Sequence, residues 1–254
     1  MSQPKTTEEI ALLREGGKRL ARVLDALQKA VAPGVTTEEL DALGEKRIRA
    51  GGDTPAFKNY QPAGADYPFP ATVCISVNDE VVHGLPGRRV LAQGDIVGLD
   101  IGLIHKGLVV DMARTVAVGA ITPEVQKLCE TTKEALMAGI KAAQVGKKIG
   151  DIASAIQTVA KKGGYGIVRE LGGHGVGHAV HELPFVPNYG KAGTGPKLIE
   201  GMVLALEPMF NLGGDDVFVA DDGYTYKTTD GKWSAHFEHT ILVTEKGPEI
   251  LTVA

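Results

Sequence analysis

Apolar residues recur at helical spacing over residues 6–32: Ile10, Leu13, Leu20, Val23, Leu24 and Leu27 share a face, Thr6 and Glu9 form a capping-box pair, and Pro33-Gly34 ends the run. A second helical stretch starts at a Thr36 or Thr37 cap, turns Leu40, Leu43 and Ile48 inward and stops at Gly51-Gly52. A Pro- and Gly-containing loop over 54–70 leads to a strand predicted over 71–77. The same pattern then returns. Thr122-Pro123-Glu124 opens a long helix with Pro at its first position, Gly146 interrupts, and a further helix from Asp151 stops at Gly163-Gly164. Gly34 and Gly146 are 112 residues apart, as are the two Gly-Gly stops. His83-Gly84-Leu85-Pro86 is echoed by His181-Glu182-Leu183-Pro184, and the stretch from Gly94 to Asp100 by that from Gly201 to Glu207. Each half returns on a strand bearing another acid, Asp111 or Glu238. These echoes predict an α+β fold of two pseudo-symmetric halves, 1–120 and 121–254, with antiparallel sheet covered by helix pairs. No linker or low-complexity tract divides them, so residues 1–254 read as one domain.

Between residues 94 and 116, two β-rich runs flank a polar break at His105-Lys106-Gly107, which predicts a hairpin. A turn centred between His105 and Lys106 would set Asp100 directly opposite Asp111 on one face. A lone Asp at a strand end is ordinarily a turn cap. Two facing carboxylates in apolar strands call for a cation between them, and a divalent metal is the simplest candidate.

Composition narrows the field. The chain has 254 residues, 43% hydrophobic and 23% charged, with a net charge of −4. That suffices for a large buried core and leaves no basic footprint for nucleic acid. Cys74 and Cys129 lack CxxC spacing, which excludes a disulfide framework and a Cys-based zinc site and fits a reducing cytoplasm. The first fifteen residues hold no signal-like apolar core, and no apolar run reaches membrane-spanning length.

The remaining candidate groups cluster in the second half. The loop over 171–182 packs His174, His178 and His181 among glycines that allow close backbone approach. It lacks the Lys-Ser/Thr ending of a phosphate-binding loop. One such His beside the Asp pair is a natural metal ligand, whereas a lone His is more often structural. Glu207, in Leu206-Glu207-Pro208, and Glu238, in Phe237-Glu238-His239, are acids at the ends of apolar strands whose charge must be paired. Four acids and a His compose a two-metal, oxygen-rich hydrolase set.

Asp100, Asp111, His174, Glu207 and Glu238, with His83 and His181, sit in motifs that resemble those of the type I methionine aminopeptidases of the pita-bread fold. The resemblance runs over nearly the whole chain through Cys74-Ile75-Ser76-Val77-Asn78, Val82-His83-Gly84, Gly173-His174-Gly175-Val176-Gly177, His181-Glu182-Leu183-Pro184, Glu207-Pro208-Met209 and Phe237-Glu238-His239-Thr240. It implies two divalent ions (Co, Mn, Fe or Zn), with Asp100 on one, His174 and Glu207 on the other, and Asp111 and Glu238 bridging both. It implies further that a bridging hydroxide attacks the first peptide carbonyl, that Glu207 shuttles a proton, and that His83 and His181 bind the peptide and its oxyanion. The substrate would be a nascent chain near the ribosome, carrying N-terminal Met before a small residue, and the enzyme a cytoplasmic monomer. Phe69, Cys74 and Tyr224 match the family's methionine pocket. Tyr224 stands where a Trp is usual, Val180 where a Phe is, Leu171 where an aromatic or Met is and His236 where a Gln is common, and the segment 61–67 is longer than usual. Trp233 reads as a packed aromatic.

Two other readings share these features. Prolidases and proline aminopeptidases use the same five ligands but commonly carry an extra N-terminal domain, whereas 82 residues precede His83 here. A catalytically silent binding module of the same fold would be expected to lose ligands, and all five are present.

Overall fold

The structure, a computed structural model, describes residues 4–62 and 64–254. Helix α1 (Thr7–Ala30) starts at its capping box: Glu9 N donates to Thr6 Oγ1 at 3.2 Å and Thr6 N to Glu9 Oε2 at 2.7 Å. Helix α2 (Thr37–Ala50) repeats the device with Thr36 and Glu39. Helix α3 (Pro123–Ala142) is capped by Thr122. Helix α4 (Ile149–Gly163) begins two residues before the expected Asp151. The acid lies at the third helical position, where it accepts from Lys148 N at 2.8 Å; it serves the cap without being it.

The strand expected from residue 71 begins at Val73 (Val73–Val77), because Thr72 N and Val73 N are taken by Asp41 Oδ1 of α2 at 2.8 and 2.9 Å. The hairpin forms from Ile96–His105 and Leu108–Ala117. Its register corrects the expected one. Lys106 (φ 47°) and Gly107 (φ 87°) are the two turn residues, and His105 closes on Leu108. Asp111 therefore faces Gly102, and Asp100 faces Ala113. The centre of the turn falls one residue later than expected, which slides the partner by two and leaves both acids on the same face.

The duplication extends to individual hydrogen bonds. Gly34 N donates to Leu91 O and Leu91 N to Val35 O at 2.9 and 2.8 Å; Gly146 N to Leu198 O and Leu198 N to Lys147 O match them at 2.9 and 2.8 Å. Isolated bridges Thr36–Val90 and Lys148–Lys197 stand beside them. Gly52 and Gly164 take φ of 80° and 75° at the two helix exits.

In the first half, Ile96–His105 pairs with Leu108–Ala117 along one edge and with Val73–Val77 and Thr54–Pro55 along the other. The second half holds a five-stranded antiparallel sheet in the order Glu249–Ile250, His239–Leu242, Val203–Leu206, Gly172–Gly175, Glu182–Pro187. Helices α1 and α2 cover the first sheet, with Leu20, Leu24 and Leu27 in its core; α3 and α4 cover the second half, with Leu128, Ile152 and Ile156 in theirs. Trp233 packs against this second core. Among the described residues no helix is long and apolar enough to cross a membrane.

Candidate metal centre

Two threonine hydroxyls join the sheets. Thr240 Oγ1 accepts from Asp111 N at 2.9 Å and donates to Asp111 O at 2.7 Å; Thr115 Oγ1 accepts from His236 N and donates to His236 O at 2.9 and 2.8 Å. Between these clasps Glu238 N donates to Ala113 O at 2.9 Å, and Arg114 and Phe237 form a bridge. One antiparallel register thus runs across the junction. It sets Ala113 between Asp100, its partner in the hairpin, and Glu238. Asp111 lies in the neighbouring row with Thr240, Ala205 and His174. Glu207 follows Leu206, which faces His239, so the same register continues from Glu238 to Glu207. Since side chains alternate with period two, Asp100, Asp111, His174, Glu207 and Glu238 all emerge on one face.

The strand bearing His174 is glycine-rich for a spatial reason. A Cβ at Gly173 would stand 2.2 Å from Ala205 O, and one at Gly175 2.4 Å from Leu183 O. Only glycine lets this strand lie so close to both neighbours.

The five expected ligands line one cleft, and three of them meet within reach of a single ion. One carboxylate oxygen from each of Asp111 and Glu238 and one nitrogen of His174 lie within 4.8 Å of one another. His174 Nε2 is 3.5 Å from Glu207 Oε1, and His236 Nε2 is 3.7 Å from Oε2 of the same group. All five line a cleft of about 600 Å³ in which, among the described residues, no Lys or Arg takes part.

The electrostatics follow from that crowding. Burial and the Asp111 charge push Asp100 well above the usual carboxylate range, and burial raises Asp111 to about 7 against hydrogen bonds that favour its ionised form. Burial and neighbouring acids raise Glu207 and Glu238 likewise. Burial, aided by nearby imidazoles, lowers His174 to about 3, His83 to about 4 and His236 to about 3. Asp100 Oδ1, Asp111 Oδ1 and Glu238 Oε1 are buried without hydrogen-bond partners among the described residues. His174 Nδ1 donates to Gly175 O at 2.9 Å, which leaves a lone pair on Nε2. Unpartnered carboxylate oxygens beside an imidazole lone pair suit divalent cations, whose charge would offset the burial of these acids.

The other expected residues join the same cleft. Phe69, Cys74 and Tyr224 form one wall with Val180. Tyr224 meets Phe69 and Tyr67 edge-on at 5.2 and 5.0 Å, and its hydroxyl donates to Tyr67 O. His83 and His181 line the cleft as well. His83 has φ 58°, a conformation held by Gly84, whose O accepts from Ile75 N at 2.8 Å and whose N donates to Ser76 Oγ at 3.1 Å. Leu171 lines an adjoining groove with Leu183 and Phe185. His178 lies apart, on the surface, with its Nε2 2.6 Å from Glu9 Oε1. Sequence reasoning missed Tyr60, whose hydroxyl is 3.0 Å from His181 Nδ1, and the joining role of Thr240. Thr240 lies in a motif already singled out, two residues past Glu238; nothing in the sequence marks Tyr60.

The profile of metallopeptidase family M24 matches residues 11–245. The methionine aminopeptidase of Clostridium perfringens is 47% identical over 249 residues, covering 98% of each chain. The crystal structure of methionine aminopeptidase from Rickettsia prowazekii superimposes with a TM-score of 0.96 at 39% identity, covering 100% of both chains. Prolidase from Pyrococcus furiosus shares the fold at a TM-score of 0.76 and 24% identity, with 99% of this chain aligned to 65% of that one.

Proposed function

Since the chain belongs to metallopeptidase family M24 and is a methionine aminopeptidase, we propose that it removes the N-terminal Met of nascent proteins that carry a small second residue, and that it does so with two divalent ions. Asp100 would hold one, His174 and Glu207 the other, and Asp111 and Glu238 both. The observation that carries this reading is the emergence of four carboxyls and an imidazole lone pair on one face, with three buried carboxylate oxygens left unpartnered among the described residues. The donor set accommodates Co, Mn, Fe or Zn.

Once bound, the ions supply a nucleophile at neutral pH and Lewis acidity toward the scissile carbonyl. The chain's own residues supply the rest. Glu207, which lines both the cleft and the adjoining groove, takes a proton from the attacking water and passes it to the leaving amine. His83 and His181, both kept neutral by burial, donate N–H groups to the carbonyl oxygen as negative charge develops there. Phe69, Cys74 and Tyr224 receive the unbranched thioether side chain. Burial holds the Cys74 thiol well above its ordinary pKa, so it serves as apolar wall and not as nucleophile. A nascent chain as substrate carries a cytoplasmic site of action, near the ribosome. All five proposed ligands come from residues 1–254 of one chain, which supports a monomeric catalytic domain.

The test is release of free Met from Met-Ala-Ser, Met-Lys-Ser and X-Pro peptides by metal-stripped protein reloaded with single divalent metals. Fast turnover of Met-Ala-Ser alone is expected. Cleavage confined to X-Pro would transfer the chain to the prolidase reading, and no turnover with any metal would support the silent binding module.

A further inference from the structure

His174 and His181 are edge-on neighbours, with ring centroids 4.5 Å apart and planes at 90°. Their outer nitrogens meet different partners. Nδ1 of His174 faces a backbone carbonyl, which can only accept, so that nitrogen carries the proton. Nδ1 of His181 faces the Tyr60 hydroxyl at 3.0 Å. A phenol is a stronger acid than a neutral imidazole N–H, and an imidazole lone pair is a stronger base than a phenol oxygen. The proton between them therefore belongs to the tyrosine, and His181 Nδ1 accepts.

We propose that Tyr60 is a positioning residue that holds His181 as the Nε2–H tautomer, the inverse of His174, so that one ring offers a lone pair and its neighbour an N–H. This rests on the aminopeptidase reading of the site, in which His181 must donate to the carbonyl oxygen of the first peptide bond. Without the tyrosine proton, the two tautomers of His181 interconvert and a part of the population turns a lone pair toward that oxygen.

The local backbone makes Tyr60 fit for this. Asn59 N donates to Phe69 O and Phe69 N to Tyr60 O, both at 2.8 Å, so Tyr60 is tied to the pocket wall. The Tyr60 ring meets the His181 ring edge-on at 5.4 Å. Phenylalanine would keep that packing and remove only the hydroxyl.

The experiment is imidazole ¹⁵N NMR on metal-free, ¹⁵N-His-labelled protein, with His181 assigned by comparison with His181→Gln. In the wild type, His181 is expected to show a protonated Nε2 and a bare Nδ1; in Tyr60→Phe both nitrogens should move toward averaged shifts. In the metal-loaded variant, kcat for Met-Ala-Ser should fall with the share of His181 that leaves the Nε2–H form, about twofold for an even mixture, with KM and metal content unchanged. A protonated Nδ1 in the wild type, or an unchanged His181 spectrum in Tyr60→Phe, would overturn the proposal. So would a variant whose only defect is a raised KM. If the wild type releases no Met, the aminopeptidase reading fails, while the spectra still decide the tautomer.

Discussion

The Nε2 atom of His174 lies 3.5 Å from Oε1 of Glu207, yet the two do not form an ion pair. Burial holds the imidazole neutral down to about pH 3 and holds the carboxyl protonated well above its ordinary range. A lone pair faces an acid that keeps its proton, so the site carries little charge until a cation displaces the proton. The same holds for the rest of the acid cluster, and metal binding, stability and pH are linked through it.

Asp111→Asn should abolish peptide hydrolysis and lower metal content, because this carboxylate is proposed to serve both ions. The metal-free variant should also be more stable than the wild type at pH 8, above the pKa of about 7 at which the buried Asp111 takes on its charge. About 1 kcal/mol, or some 2–4 °C in Tm for a chain of this length, is expected. Metal analysis and thermal unfolding check the two halves of this expectation; wild-type turnover would refute the assignment.

Metal affinity should rise with pH through about 7. In the metal-free fold Asp111 has its pKa raised from the ordinary 3.8 to about 7. Its contribution to stability is full below 3.8 and is lost as pH rises through 7, where the fold must carry the bare charge. His174, lowered to about 3, contributes in the opposite sense: its share is full above 6.5 and is lost as pH falls toward 3. A cation competes with the Asp111 proton and, above pH 6, with none on His174. Calorimetry with Mn²⁺ should give about tenfold tighter binding at pH 8 than at pH 6. A flat profile would contradict the shift.

Thr240→Val keeps the side-chain shape and removes both hydrogen bonds to Asp111 N and O. Two buried backbone groups at the junction of the sheets lose their partner, a cost of about 1–3 kcal/mol. Urea unfolding should show that loss, and Mn²⁺ affinity should fall with it, since Asp111 is then held less firmly. A stability loss with unchanged affinity would mean that the junction does not position the ligands.

Lys5→Met should cost roughly 3 kcal/mol. The Lys5 ammonium is wholly buried against Glu182 at 2.8 Å, and Glu182 also accepts from His178 N and Ala179 N. Removal of the cation leaves Glu182 unpaired in the segment that carries His181. A double-mutant cycle with Glu182→Gln, read by urea unfolding, should recover part of the loss; simple additivity would show that the pair is uncoupled.

Much of this site was legible before any coordinates. Acids set six residues after a glycine in apolar surroundings, Asp100 within its strand and Glu207 just past the end of its own, announce themselves because a buried charge must be answered, and His174 stands out by its glycine setting. The helix pairs were legible through caps and glycine exits, which act locally. What escaped was register. The hairpin turn was set one residue early because Lys106 adopts a left-handed conformation that its residue type does not advertise. Tyr60 and Thr240 escaped for a related reason. Their partners, His181 and Asp111, are 121 and 129 residues away in sequence, and only the packing of one half on the other brings them within reach.

The most direct test of the account is anomalous diffraction from crystals soaked in Mn²⁺. Two peaks about 3.5–4 Å apart are expected, ligated by Asp100, Asp111, His174, Glu207 and Glu238. Saturating Mn²⁺ with no peak among these five side chains, or with peaks only elsewhere, would contradict it.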